Sequence, residues 1–252
     1  MLELYGDESF KNTPGFQGCY ALAGYLTDSD VWAAIDSAWE MVKNTPPSIR
    51  HFKMHEYWER CGEFSTLTKD EADAKYDLFI QVLEVFGKHM VWIDSVITFD
   101  CFNAVVKDKP RALNAVKEPY TFCLVGVFGL VTRALRATIG DSEPLPTVDF
   151  IFDEKQGVDR HILEAHQFLK ENGDQWPIVN RLSFDDDMKC NPLQCADLLA
   201  SHVRRNYVRP AEDKGRPLPG YSRLESAAYR KWSGIWKEEG LKDWIDRFEA
   251  LG

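Results

Sequence analysis

Residues 191–206 read NPLQCADLLASHVRRN. Asn191 is a good helix N-cap and Pro192 suits the first helical position, so the spacing predicts a helix that starts here. Most residues from Leu193 to Val203 are Leu, Ala, Cys or Val. Gln194, Asp197, Ser201 and Arg204 stand three, four and three residues apart and make one narrow polar stripe. Asp197 lies beyond the first turn, where the helix dipole no longer favours a carboxylate. Either the stripe is the wet side of the helix, or a cation meets Asp197. Periodicity alone does not separate the two.

Strand-like and helix-like segments alternate on the N-terminal side of this helix. MLELYGDES (1–9) alternates as a strand should, KNTPG (11–15) reads as a turn, and GCYALAGYLTD (18–28) is a second strand placed to pair as a hairpin. A helix is predicted over 28–44 and is stopped by TPPS, another over 68–88 with Thr68 as its cap, and residues 49–67 are ambiguous. HMVWIDSVITFDC (89–101) is a strand, followed by a long helix over about 112–139 that is apolar on most sides. LPTVDFIFDEKQ (145–156) is a strand, about 158–172 a helix, PIVNRLSF (177–184) a strand, and DDDMKCN (185–191) an acidic loop. AEDKGRPLPG (211–220) is loop-like, and the chain ends in one or two helices carrying Tyr221, Tyr229, Trp232, Trp236 and Trp244. The pattern predicts an α/β fold with a mixed sheet flanked by helices on both faces.

With 252 residues, 44% hydrophobic and 13% aromatic, the chain can build a well-formed core. No run approaches the roughly 20 uninterrupted apolar residues of a membrane span, and MLELYGDESF lacks the features of a signal peptide, so no membrane association and a cytoplasmic location are expected. Six scattered cysteines with no Cys-x-x-Cys pair read as reduced core thiols and not as a zinc site. A net charge of -10 argues against a broad basic face for gripping duplex nucleic acid, although SHVRRNYVRP (201–210) can still meet phosphates. There is no Gly-x-Ser-x-Gly and no Gly-x-x-x-x-Gly-Lys, which leaves serine-type hydrolysis and phosphate-loop chemistry without support.

Carboxylates stand at the ends of strands. Asp7 and Glu8 end the first, and Asp153 and Glu154 end TVDFIFDE. Period-two alternation puts Asp149, Ile151 and Asp153 on one face and Val148, Phe150, Phe152 and Glu154 on the other, which favours Asp153 over Glu154 and, likewise, Asp7 over Glu8. Ligand sites in such sheets form outside the carboxyl ends of strands. Taken singly, each Asp-Glu also reads as a solvated turn or a helix cap. Carboxylates that converge from separate elements repel unless protonated or met by a cation, and magnesium or manganese suits an all-oxygen set. Two such ions about 4 Å apart activate water and stabilise a leaving oxygen in phosphodiester hydrolysis.

YGDES (5–9), FDE (152–154) and LQCADLLASHVRR (193–205) together resemble the domain of unknown function 3800 family, over roughly residues 2–210. The resemblance implies a ribonuclease H-like domain over 1–210, followed by a helical, aromatic-rich extension over 211–252. It implies metal-dependent nuclease chemistry, with magnesium or manganese held by Asp7, Asp153 and Asp197. Glu8 or Glu154 would be a further ligand or an orienting base, and Gln194 would hydrogen-bond a ligand carboxylate or the substrate. SIRHFKMHE (48–56) resembles the family's Lys-containing stretch, so Lys53, His51 or His55 would touch substrate phosphates, with Ser9 and Arg204 as further contacts.

The sequence departs from the family pattern at Phe10 and at the run Asp185, Asp186, Asp187, which either adds a metal ligand or is a solvated loop, the loop being the preferred reading. A ribonuclease H sheet opens with three antiparallel strands; two are legible, and the third is sought in SIRHFKMHE. The expected function is a divalent-metal-dependent phosphodiesterase or nuclease acting on nucleic acid. The alternative is a non-catalytic interaction module on the same scaffold, with a protein partner or a second copy meeting the Trp-rich C-terminal segment. Ordinary packing onto the core is the preferred reading of that segment.

Overall fold

In a computed structural model, residues 1–11, 18–106, 119–141, 143–154, 163, 167, 178–208 and 218–250 are described. The strands are β1 (Leu2–Lys11), β2 (Cys19–Asp28), β3 (Val91–Thr98), β4 (Val148–Asp153), β5 (Val179–Asp185) and β6 (Arg230–Ile235). They form one six-stranded sheet in the order β5-β4-β1-β2-β3-β6. β1, β2 and β3 are antiparallel neighbours. β4 runs parallel to β1, β5 parallel to β4, and β6 parallel to β3. The helices are α1 (Ser29–Asn44), α2 (Met54–Glu59), α3 (Lys69–Phe86), α4 (Phe99–Val106), α5 (Pro119–Ile139), α6 (Asn191–Tyr207), α7 (Pro219–Ala227) and α8 (Glu238–Ala250).

Strand alternation divides the core in two. Leu4, Leu22, Ile93, Ile97, Phe150 and Phe152 face α5, with α4 and α8 completing that layer. Ala21, Ala23, Tyr25, Trp92 and Val96 face the layer of α1, α3 and α6. α5 is long and apolar enough to cross a membrane by length and composition. Its apolar surface is used against the sheet: Phe122, Cys123, Val127, Phe128 and Val131 have almost no exposure. The N-terminus of α3 is fixed by a capping box, in which the Thr68 hydroxyl accepts from Glu71 N–H and the Glu71 carboxylate accepts from Thr68 N–H.

Several expectations are corrected. The third antiparallel strand is β3, not SIRHFKMHE, which forms an extended stretch leading into α2. The C-terminal segment is not helical throughout, because β6 adds a parallel strand to the far edge of β3. Asn191 is the first helical residue and not the cap; its side-chain N–H group donates to Asp36 Oδ1 at 3.0 Å. The turn at 12–15, residues 112–118 of the long helix, the loop at 211–217 and the boundary at 210 fall outside the described residues. So does the helix expected over 158–172, apart from Leu163 and Gln167, which are helical.

Candidate active site

β1 and β4 are parallel neighbours paired as far as Gly6 and Phe152, so Asp7 and Asp153 stand side by side one residue further along. Both fall on the pleats that point away from α5, toward α6. The turn after β5 brings a third carboxylate to them. Asp187 donates its backbone N–H to Asp153 Oδ1 at 3.2 Å. Carboxylate oxygens of Asp7, Asp153 and Asp187 all lie within 4.8 Å of one another. Asp7 and Asp187 are buried, and Asp153 is half-buried.

Two further groups frame this cluster. The Lys53 ammonium forms an ion pair with Asp187 Oδ2. Asp197, on the second turn of α6, accepts the Met54 N–H at 2.7 Å and so anchors the stretch that carries Lys53. Burial pushes the Asp7 carboxyl well above the usual carboxylate range, and the like charges of Glu8, Asp197 and Asp153 add to the rise while Lys53 opposes it. Burial also raises Asp197, against the pull of the Met54 N–H and of Lys53. Lys53 thus faces an excess of negative charge. An all-oxygen donor set with uncompensated charge fits a hard divalent cation such as magnesium or manganese.

Gln194 does not reach toward a substrate. It has no exposed surface, its Oε1 accepts from Trp39 Nε1 and from Phe52 N–H, each at 3.0 Å, and its Nε2 donates to the Asp187 carbonyl at 2.8 Å. The partner expected to be a ligand carboxylate is instead the main chain of the residue that carries one. Gln194 ties α1, the Lys53 stretch and the Asp187 turn together.

Glu8 and Glu154 occupy the opposite pleats from Asp7 and Asp153. Glu8 is half-buried opposite Leu22, on the α5 side of the sheet. Glu154 is exposed and donates its N–H to the Asp185 carbonyl at 2.9 Å. Ser9 and Arg204 meet each other, the Arg204 Nε–H donating to Ser9 Oγ at 2.9 Å. His51 is buried with its Nε2 3.2 Å from Glu56 Oε1, and His55 is exposed. The solvated reading of 185–187 holds for Asp185, which is exposed although it ends β5, but fails at buried Asp187. The available signal was position: a tight turn between the strand that pairs with Asp153 and the helix that carries Asp197 must pass beside the site.

No family model and no curated protein matches this chain. Among solved structures it is similar to a chain of the PCNA:RNase HII complex from Archaeoglobus fulgidus, at 15% identity, covering 99% of this chain and 91% of that one, with a TM-score of 0.41. It is also similar to Bst-RNase HIII, solved in complex with Mn2+, at 14% identity, covering 90% of this chain and 66% of that one, with a TM-score of 0.38.

Proposed function

We propose that this chain is a divalent-metal-dependent phosphodiesterase that cuts nucleic acid, and that it belongs to the domain of unknown function 3800 family. The observation that carries the proposal is the convergence of Asp7, Asp153 and Asp187, from two strand ends and a turn, to within 4.8 Å. Magnesium or manganese held by these three, with Asp197 beside them, would neutralise the cluster and act as a Lewis acid toward a phosphodiester. Lys53 holds Asp187 in the free protein and offers a cation for the phosphate. Asp197 fixes the Lys53 stretch through Met54, and Gln194 fixes the Asp187 turn. All of these residues fall within 1–210, the catalytic unit of the proposal.

The Trp-rich segment lends the alternative interaction module less support than a free aromatic face would, because Trp232, Trp236 and Trp244 are partly buried against the α5 side of the core. The test is a panel of labelled RNA and DNA, single- and double-stranded, incubated with manganese. The expected result is cleavage by the wild type and its loss, by a factor of about a hundred or more, in Asp7→Asn and Asp187→Asn. Absence of cleavage across the panel, or full activity in both variants, defeats the proposal. In parallel, manganese should raise the melting temperature of the wild type but not of Asp7→Asn.

A further inference from the structure

α2 and α6 leave the carboxylate cluster side by side. They are joined at its edge by the Met54 to Asp197 hydrogen bond and again one turn along α2, where the Arg205 guanidinium carbon lies 3.6 Å from the centroid of the Trp58 ring. Arg205 is eight residues beyond Asp197 on the same helix, about 12 Å at 1.5 Å per residue. Arg204 lies beside it, bonded to Ser9, and Arg60 follows α2 next to Tyr57.

Three shielded polar atoms of this tract are of one kind. Trp58 Nε1, Arg60 Nη1 and Arg205 Nε are shielded from solvent and have no acceptor. Trp and Arg side chains can only donate, so what completes them must bring acceptors. Other guanidinium groups are neutralised by carboxylates: Arg50 by Glu63, Arg181 by Asp149, Arg223 by Asp77 and Glu84. Among the described residues Arg60, Arg204 and Arg205 have no carboxylate at ion-pair distance, and exposed Glu59 influences Arg205 without bonding to it. In a chain of net charge -10, three guanidinium groups without a carboxylate partner, gathered beside an acidic site, call for an anion.

We propose that α2 and α6 form a track for a single strand of nucleic acid leading into the carboxylate cluster, with Trp58, Arg60, Arg204 and Arg205 as its contacts. This rests on the phosphodiesterase reading and narrows its substrate to chains with a single-stranded segment. A backbone of phosphates supplies acceptors at every nucleotide, and the stacked Trp58 and Arg205 pair offers a base a flat surface. The 12 Å track spans about three to four stacked nucleotides at 3.4 Å each. A few cations beside one aromatic platform suit a single strand better than a duplex, which needs charge spread over a broad face.

The test is fluorescence anisotropy of short labelled oligothymidylate and oligouridylate, in calcium or in EDTA, against a duplex control. Arg60 has a left-handed backbone (φ 53°, ψ 46°), a conformation glycine adopts without strain, so Arg60→Gly removes the guanidinium and keeps the fold. Arg205→Gln is the second variant. Each is expected to weaken single-strand binding about tenfold and to flatten the salt dependence by about 0.7 in log-log slope. The track is overturned if the wild type binds neither oligonucleotide, if it prefers the duplex, or if both variants keep wild-type affinity and slope. Binding that depends on Arg60 and Arg205 without cleavage in manganese upholds the track and defeats hydrolysis; cleavage with both variants binding normally does the reverse. The deoxy and ribo arms identify which strand is held.

Discussion

Gln194 shows how a polar residue can serve a site without touching what the site binds. Three partners depend on its amide: the Trp39 indole N–H, the Phe52 amide and the Asp187 carbonyl, all buried. Replacing it with Leu keeps the volume but leaves each of them without a partner. At roughly 1–3 kcal/mol for each stranded group, partly relieved by water, Gln194→Leu should cost about 3–5 kcal/mol. Urea unfolding at constant m-value measures it, and a loss under about 1 kcal/mol would mean that the amide is not the tie described. Asp197 is a second case. The stripe it shares with Gln194, Ser201 and Arg204 is not the wet side of the helix, since Gln194 and Ser201 are buried. What meets its carboxylate is first a backbone N–H.

At the scale of elements, a buried cation joins two helices. Lys75 on α3 has almost no exposure, and its ammonium donates to the carbonyls of Val42, at 2.8 Å, and Thr45 at the C-terminal end of α1. These are carbonyls that a helix end leaves without partners, at the end its dipole makes negative. Lys75→Met keeps the stem and strands both acceptors, so it should destabilise by about 2–4 kcal/mol. A drop in the urea midpoint of matching size checks it, and a neutral result would show that water replaces the ammonium. The same physics governs what was legible in the sequence. β1, β2, β4, α1, α3 and α6 carry clear periodicities or caps, so their places follow from local pattern. β3 is buried on both faces and loses the alternation that marks a third antiparallel strand, while β6 is a short edge strand containing Ser233 and Gly234. Asp7 and Asp153 could be read from strand ends. Asp187 could not, because its burial is created by a turn folding back on other elements, and nothing local distinguishes it from its exposed neighbour Asp185.

Across the whole molecule, two buried titratable groups on the α6 side of the sheet give stability opposite dependences on pH. Asp94 on β3 accepts from Trp92 Nε1 at 2.6 Å and from the hydroxyl of Ser233, its register partner on β6, and burial raises its carboxyl to about 6. A raised folded-state pKa gives stability that is fully present below the unfolded value of 3.8 and lost as pH rises through about 6. His202 on α6 lies 2.6 Å from the Tyr76 hydroxyl of α3, and burial lowers its imidazole to about 4. Its contribution is fully present above the unfolded value of 6.5 and lost as pH falls through about 4. At 1.36 kcal/mol per unit each amounts to about 3 kcal/mol, so in the wild type one rises as the other falls. The variants separate them. Relative to Asp94→Asn, the wild type should lose about 3 kcal/mol between about pH 4 and pH 7 as pH is raised; relative to His202→Gln, it should lose a similar amount as pH is lowered. Urea unfolding in EDTA across that window measures both, and the carboxylate cluster, common to all three proteins, cancels in the differences. Curves that run parallel to the wild type would show that neither group changes its proton affinity on folding, and a single parallel curve would remove the corresponding group from the balance.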